Sequence, residues 1–283
     1  MSNISAGDVK ALREKTGAGM MECKNALVET GGDFDKAVKL LKEKGLAAVE
    51  KRTGRATNEG KIFIKLKGNT AALVEMVSET DFVAKSPDFI ALGEALAEKV
   101  LEKDYSEANE ELNGMVTELA AKIRENMSIR RIKAVKATAG ESLVSYIHGD
   151  GAIGVVVKLG ADKAEALDND AVKAFAFNMA LHVAAFNPAF LDSSKVDAAW
   201  LKEQEDIFRK QMEQDESMQG KPATVLENIL KGKISKFLKE ICLMDQGYVK
   251  DDKMTVAKAL EEEGKKAGAK LTIVDYVYFR VGE

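Results

Sequence analysis

The chain has 283 residues, of which 46% are hydrophobic and 31% charged, and a formal net charge of −4. That length is ample for conventional hydrophobic cores and suggests two domains with room for a small further module. The acidic balance argues against a protein whose main task is gripping phosphate backbones. Cys23 and Cys242 form no CxxC pair, which argues against a disulfide framework or a cysteine-rich metal site. The opening residues show no basic stretch followed by an apolar run, and no apolar run approaches the ~20 residues of a membrane span, so a cytoplasmic protein is expected.

In chain order, the first predicted helix carries Val9 and Leu12 and stops near Gly17. A second places Met20, Cys23 and Leu27 on one face and ends at Gly31-Gly32. A third starts at Asp33, whose carboxylate suits an N-cap because it accepts from the free N–H groups of a first turn. Phe34, Ala37, Val38 and Leu41 follow at helical spacing, and Gly45 supplies the expected stop. Three short helices bury little area, so residues 1–50 are expected to form a docking module. Residues 51–60, with Lys51, Arg52 and Arg55 and no sustained apolar period, read as a linker or a solvated helix end.

The period then changes. Ile62, Ile64 and Leu66 alternate with Phe63, Lys65 and Lys67 as in a half-buried strand. Gly68-Asn69 is a good two-residue turn into a second strand over 72–77. Ser86-Pro87 caps a helix carrying Phe89, Leu92, Leu96 and Val100, because proline at a first helical position gives up no needed N–H. Leu112, Val116, Leu119 and Ile123 mark another helix, and 129–135 a further strand. Hairpin and helix recur at 143–159 and 170–186, which predicts an α+β fold with a duplicated core in subdomains 61–140 and 141–283. Within the second, residues 196–243 read as a helical hairpin broken at Gly220-Lys221-Pro222, with a first arm thin in apolar residues and free to project. Residues 271–281 close the chain as a strand.

Familiar catalytic patterns do not occur. There is no GxxxxGKS/T phosphate loop and no HExxH, and Gly17-Ala18-Gly19 joins two helices instead of following a strand. His182 shares a helix face with Phe175, Met179 and Phe186 and reads as a core residue, whereas His148 ends a strand beside a glycine turn, where contact is plausible. No carboxylate pair is marked out by an apolar pocket. No cofactor and no metal site are expected, and the chain does not read as an enzyme.

The segment Ser78-Glu79-Thr80-Asp81-Phe82-Val83-Ala84-Lys85 breaks the strand alternation between a buried strand and a capped helix, where functional loops tend to sit. The residues alone leave two readings. Asp81 caps a turn locally while Phe82 tucks into the core, or the loop offers an apolar wedge and a carboxylate to a partner.

Residues 12–27, Leu12-Arg13-Glu14-Lys15-Thr16-Gly17-Ala18-Gly19-Met20-Met21-Glu22-Cys23-Lys24-Asn25-Ala26-Leu27, and residues 75–85, Glu75-Met76-Val77-Ser78-Glu79-Thr80-Asp81-Phe82-Val83-Ala84-Lys85, resemble the two signatures of the bacterial elongation factor Ts family. Ile129-Arg130-Arg131, Tyr146-Ile147-His148-Gly149, Ile153-Gly154-Val155-Val156-Val157, His182-Val183-Ala184-Ala185, Gly220-Lys221-Pro222 and Phe279-Arg280-Val281-Gly282-Glu283 follow in family order, so the resemblance spans essentially the whole chain. It departs from the family pattern at Val77-Ser78, where Asn before a small residue is usual, and at Arg124, where a glycine is usual. Gln246-Gly247-Tyr248 lacks a common Pro-Phe pair.

The resemblance implies a ubiquitin-associated-like helical module, a duplicated α+β core with antiparallel sheets and a protruding helical hairpin. It implies a guanine-nucleotide exchange factor that binds elongation factor Tu, GDP-bound and nucleotide-free, and speeds GDP release by disturbing that partner's magnesium site. The wedge segment of the family maps onto Thr80, Asp81, Phe82 and Val83, with Phe82 entering an apolar pocket of the partner. Contacts of the helical module map onto Met20, Met21 and Lys24, and contacts of the core onto Ile123 and His148. The rival class is an RNA-binding protein, whose best feature is the basic run Ile129-Arg130-Arg131-Ile132-Lys133-Ala134-Val135-Lys136; with an acidic total, a half-exposed strand with charged edges is the simpler account. No direct nucleic-acid or membrane partner is expected.

Overall fold

The computed structural model describes residues 4–283. Packing divides them into two units. One holds residues 4–135 with Ile147–Gly154 and Phe279–Glu283, and the other holds Lys136–Tyr146 and Val155–Tyr278. The class is α+β, as expected, with two three-stranded sheets and a short two-stranded one among the described residues.

The first unit begins with α1 (Ala6–Thr16), α2 (Met20–Glu29) and α3 (Phe34–Glu50). Ser5 and Asp8 form a reciprocal capping box that satisfies two free donors at the start of α1. Asp33 caps α3 as expected, accepting from the Lys36 N–H at 3.0 Å. Val9, Leu12, Cys23, Ala26, Leu27 and Ala37 make a small core. Two expectations fail here. Met20 does not share the buried face of Cys23 and Leu27 but is 48% exposed. Nor does α3 stop at Gly45; it runs on to Glu50, because Gly45 serves packing instead of termination. A Cβ at Gly45 would stand 3.2 Å from the Ala121 Cβ, so the missing side chain lets two helices approach closely.

Strands β1 (Glu59–Lys67) and β2 (Thr70–Ser78) pair antiparallel around Gly68-Asn69, with Lys67 opposite Thr70. Beyond them come α4 (Asp81–Ala84), α5 (Pro87–Lys103), α6 (Glu110–Ile123) and β3 (Met127–Lys136), and the sheet order is β1-β2-β3. Ser86 and Asn109 cap α5 and α6 through their side chains. A Cβ at Gly93 of α5 would fall 2.1 Å from the Phe63 ring, so this helix seats on the sheet only with glycine there. Phe63, Val74, Met76, Phe89, Leu96, Val100, Leu112 and Val116 fill the core between sheet and helices.

One fully buried acid ties distant parts of this unit together. Glu75 on β2 accepts from Arg131 Nε at 2.6 Å and from the Gly282 N–H at 3.0 Å. Arg131 also stacks over the Phe279 ring and donates to the Arg280 carbonyl. The basic run of the rival RNA reading therefore spends Arg131 on internal contacts, and Arg130 lies 3.9 Å from the same carboxylate.

The remaining elements are β4 (Glu141–His148), β5 (Ile153–Ala161), α7 (Asp170–Phe186), α8 (Ala198–Gln214), α9 (Ala223–Ile241), β6 (Gly247–Tyr248), β7 (Asp251–Thr255), α10 (Val256–Ala267) and β8 (Leu271–Arg280). The second sheet has the order β4-β5-β8. His182 on α7 is fully buried, donating through Nε2 to Gln246 Oε1 at 2.9 Å and accepting the Val249 N–H at Nδ1. It is a satisfied core residue, and burial holds its imidazole below the ordinary value, with the Gln246 bond opposing. The helical hairpin is α8 and α9. Each arm buries one residue, Met212 and Leu230, and between the arms Trp200 stacks on Phe237 while Phe208 meets the same ring edge-on.

Candidate protein-docking surface

Strand β2 is buried at every position from Ala71 to Ser78, so the chain must turn as soon as it leaves the sheet. Thr80 starts the turn in extended conformation, and its hydroxyl accepts the Val83 N–H at 3.3 Å. That caps α4, which is a single turn. Since successive helical residues point about 100° apart, only part of so short a turn can face inward. Val83 and Ala84 take the inward positions, leaving Phe82 83% exposed. An apolar ring so open has no role in holding the fold together. The residues had left two readings of this segment; Thr80 is the cap, not Asp81, and Val83, not Phe82, enters the core.

Asp81 pairs with Lys85 at 2.6 Å across one helical turn. The hydrogen bond from Lys85, then its charge, holds the Asp81 carboxyl below the usual aspartate range, and the same bond pushes Lys85 up. The turn thus presents a fixed carboxylate beside an open ring.

The loop after α6 braces this turn. Glu125 accepts both the Thr80 N–H at 3.1 Å and the Thr80 hydroxyl at 2.9 Å. Glu79, the residue before Thr80, accepts the Asn126 N–H at 2.6 Å and pairs with Arg55 at 3.3 Å. Asn126 in turn donates to the carbonyls of Arg55 and Thr53. Sequence reasoning missed Glu125 and Asn126, for the polar pair carries no periodic signal and its partner lies 45 residues away.

On α2, Met21 is 63% exposed, and Lys24 is exposed on the same face. Val28, which the sequence did not single out, extends that face one turn on and is 60% exposed; its spacing of four from Lys24 is the signal that could have found it. Glu22 beside them accepts the Gly19 N–H at 2.9 Å and pairs with Arg124. The Arg124 bond is the main cause that lowers the Glu22 carboxyl.

Ile123 is half-buried against the core cluster of the first unit, and His148 is exposed at the end of β4. The turn after His148 is made of Gly149, Asp150 and Gly151, with φ values of 59°, 54° and 95°. Lys61, itself buried, holds it from below by donating to the Asp150 carboxylate at 2.6 Å and carbonyl at 2.8 Å. All the residues expected to contact a partner thus fall in the first unit, but on separate elements: α2, the α4 turn, the end of α6 and the end of β4. Among the described residues, no cluster of His, Cys, Asp and Glu is arranged to hold a metal ion, and no helix is long and apolar enough to cross a membrane.

Comparison with known proteins gives a consistent result. The family model for elongation factor TS matches residues 79–283. Elongation factor Ts of Treponema denticola is 50% identical over 280 residues, covering 99% of both chains. The protein of the same name from Treponema pallidum is 45% identical, again over 99% of each. That of Clostridium acetobutylicum is 40% identical over 99% of this chain and 93% of its own.

Proposed function

This chain belongs to the elongation factor Ts family, a family of translation elongation factors, and from that premise we propose that it is a guanine-nucleotide exchange factor for the GTPase elongation factor Tu, with Phe82 as its wedge. The observation that carries the reading is an aromatic ring 83% exposed on a turn whose backbone is capped and braced. Here the Thr80 hydroxyl and the Asp81 carboxylate both have partners within the chain, and the ring beside them is left open.

Such a factor makes and breaks no covalent bond, so it needs no catalytic residue. It binds the nucleotide-free GTPase more tightly than the loaded one, and linkage then weakens nucleotide binding by the same factor. Magnesium bridges phosphate oxygens to the GTPase, and disturbing it leaves phosphate charge poorly neutralised. Burying an aromatic ring supplies roughly 1.5–3 kcal/mol, or about ten- to a hundredfold in an equilibrium. A larger acceleration needs further contacts, for which Met20, Met21 and Lys24 on α2, together with Ile123 and His148, are the candidates. Asp81, charged at neutral pH, accompanies the ring as an anionic group directed at a cation site that belongs to the partner. A factor acting in this way works in the cytoplasm.

The test is stopped-flow release of fluorescent GDP from elongation factor Tu. Phe82→Ala is expected to slow release at saturating factor about ten- to a hundredfold while leaving thermal stability within about 0.5 kcal/mol, as for exposed sites generally. A release rate equal to that of the unaltered chain would sink the wedge reading.

A further inference from the structure

Two neighbouring residues after α6 reach two separate partner-facing elements. Arg124 pairs with Glu22 on α2, beside Met21 and Lys24. Glu125 accepts from the backbone and the hydroxyl of Thr80, which heads the Phe82 turn. We propose that Arg124 and Glu125 are positioning residues: Glu125 orients the wedge, and Arg124 fixes the spacing between the wedge and the α2 face. The proposal rests on the exchange-factor reading and adds to it residues that need not touch the partner.

The chemistry of Glu125 is specific. The Thr80 oxygen must turn a lone pair toward the Val83 N–H to cap α4, so its own hydrogen has to point elsewhere. The Glu125 carboxylate receives it, and it also receives the Thr80 N–H. Two donors meet two acceptor oxygens. A glutamine in that place offers one acceptor oxygen and turns an NH2 donor on Thr80. One of the donors then loses its partner, or the hydroxyl rotates and gives up the cap on Val83. Either way the turn that carries Phe82 loses its single orientation without losing any core residue.

Arg124 sits in the left-handed region at φ 71°, where a side chain is disfavoured and glycine is at ease. A side chain held in that conformation is offset by a compensating contact, and the ion pair with Glu22 is one. It joins the helical module to the same short stretch of chain that braces the wedge. Two contacts held at a fixed spacing raise each other's effective concentration when a partner engages one of them.

The experiment uses the full chain and fluorescent-GDP-loaded elongation factor Tu, with a separate measurement on the free chain. Glu125→Gln is expected to lower the maximal rate of GDP release about tenfold, the loss expected for one charge-assisted hydrogen bond. Its half-saturating concentration should shift less than about threefold. Placed on Phe82→Ala, the same substitution should add nothing, because Glu125 acts through the ring; losses that multiply would overturn the proposal. Arg124→Gly should instead raise the half-saturating concentration by a larger factor than it lowers the maximal rate, and the opposite split would overturn the spacing role. In the free chain, amide hydrogen exchange at Thr80 and Val83 should quicken about tenfold or more in Glu125→Gln, and unchanged protection would overturn the positioning role whatever the GTPase does. Should Phe82→Ala leave release unaltered while those amides lose protection, the exchange-factor reading fails and the bracing role of Glu125 stands.

Discussion

The turn at Thr80–Val83 and the turn at Gly149–Gly151 each carry or follow a residue expected to touch a partner, Phe82 in one and His148 in the other. They are held in unlike ways. After the extended Thr80 the first uses ordinary right-handed backbone, and its shape comes from side chains: the Thr80 cap, the Glu125 carboxylate and the inward Val83. The second takes its shape from the backbone, with three successive residues at positive φ, and it is steadied by the buried Lys61 and by the Ile62 N–H, which donates to the Gly151 carbonyl at 2.8 Å. A turn built by side chains can be retuned by a single polar substitution. A turn built by backbone tolerates few residue types but depends on few outside partners.

That contrast can be broken by experiment. The largest effect is expected at Phe82→Ala, which should change GDP release and leave melting unaltered, since the ring supports nothing. Next comes Gly151→Ala. Its φ is 95°, and an added Cβ would stand 3.1 Å from the Cβ and Cγ of Lys61, so a loss of about 1–3 kcal/mol in denaturant unfolding is expected. An alanine accepted there without loss would mean that the backbone does not dictate this turn. Lys61→Met should cost less, about 1–2 kcal/mol, because the Asp150 carboxylate it leaves behind is largely in water. Smallest is the pH response of the Asp81–Lys85 pair. The folded carboxyl lies below 3.8, so its contribution is complete above that value and is lost as pH falls through the lower folded one. Lys85 is raised above 10.5, so its contribution is complete below that value and is lost as pH rises through the higher folded one. Carboxyl-carbon NMR should show Asp81 titrating below 3.8; a midpoint at or above it would mean the pair does not form in solution.

Much of the fold was legible because its punctuation is local. Asp33, Ser86-Pro87 and Gly68-Asn69 act within a few residues of where they stand, and the helices and hairpin they announce are present. What escaped depends on neighbours far along the chain. Gly45 looks like a stop and proves to be a contact with Ala121. Met20 has the spacing of a core residue, yet the core of the helical module closes without it. In α10, the run Glu261-Glu262-Glu263 masks an apolar face of Val256, Ala259, Leu260 and Gly264. At the candidate site, the Thr80–Val83 segment stood out in sequence because it broke a strand's alternation. Which of its residues turned outward was left open by the residues alone, since that depends on how a single turn meets the core, and only the family resemblance pointed to Phe82. The bracing pair Glu125-Asn126 had no sequence signal at all.

The buried Glu75 has a consequence for the order in which this molecule can be completed. Its Gly282 partner lies 207 residues further along the chain. During synthesis Glu75 emerges long before residues 279–283, which belong to the same unit. Until they arrive, the carboxylate keeps only its arginine neighbours, and Arg131 has neither the Phe279 ring to stack on nor the Arg280 carbonyl to bind. A contact of such long range is slow to form because loop closure must precede it. The sheet that leads into the Phe82 turn is thus sealed by residues made 207 positions after Glu75, and a chain halted before them would hold Phe82 on an unfinished support.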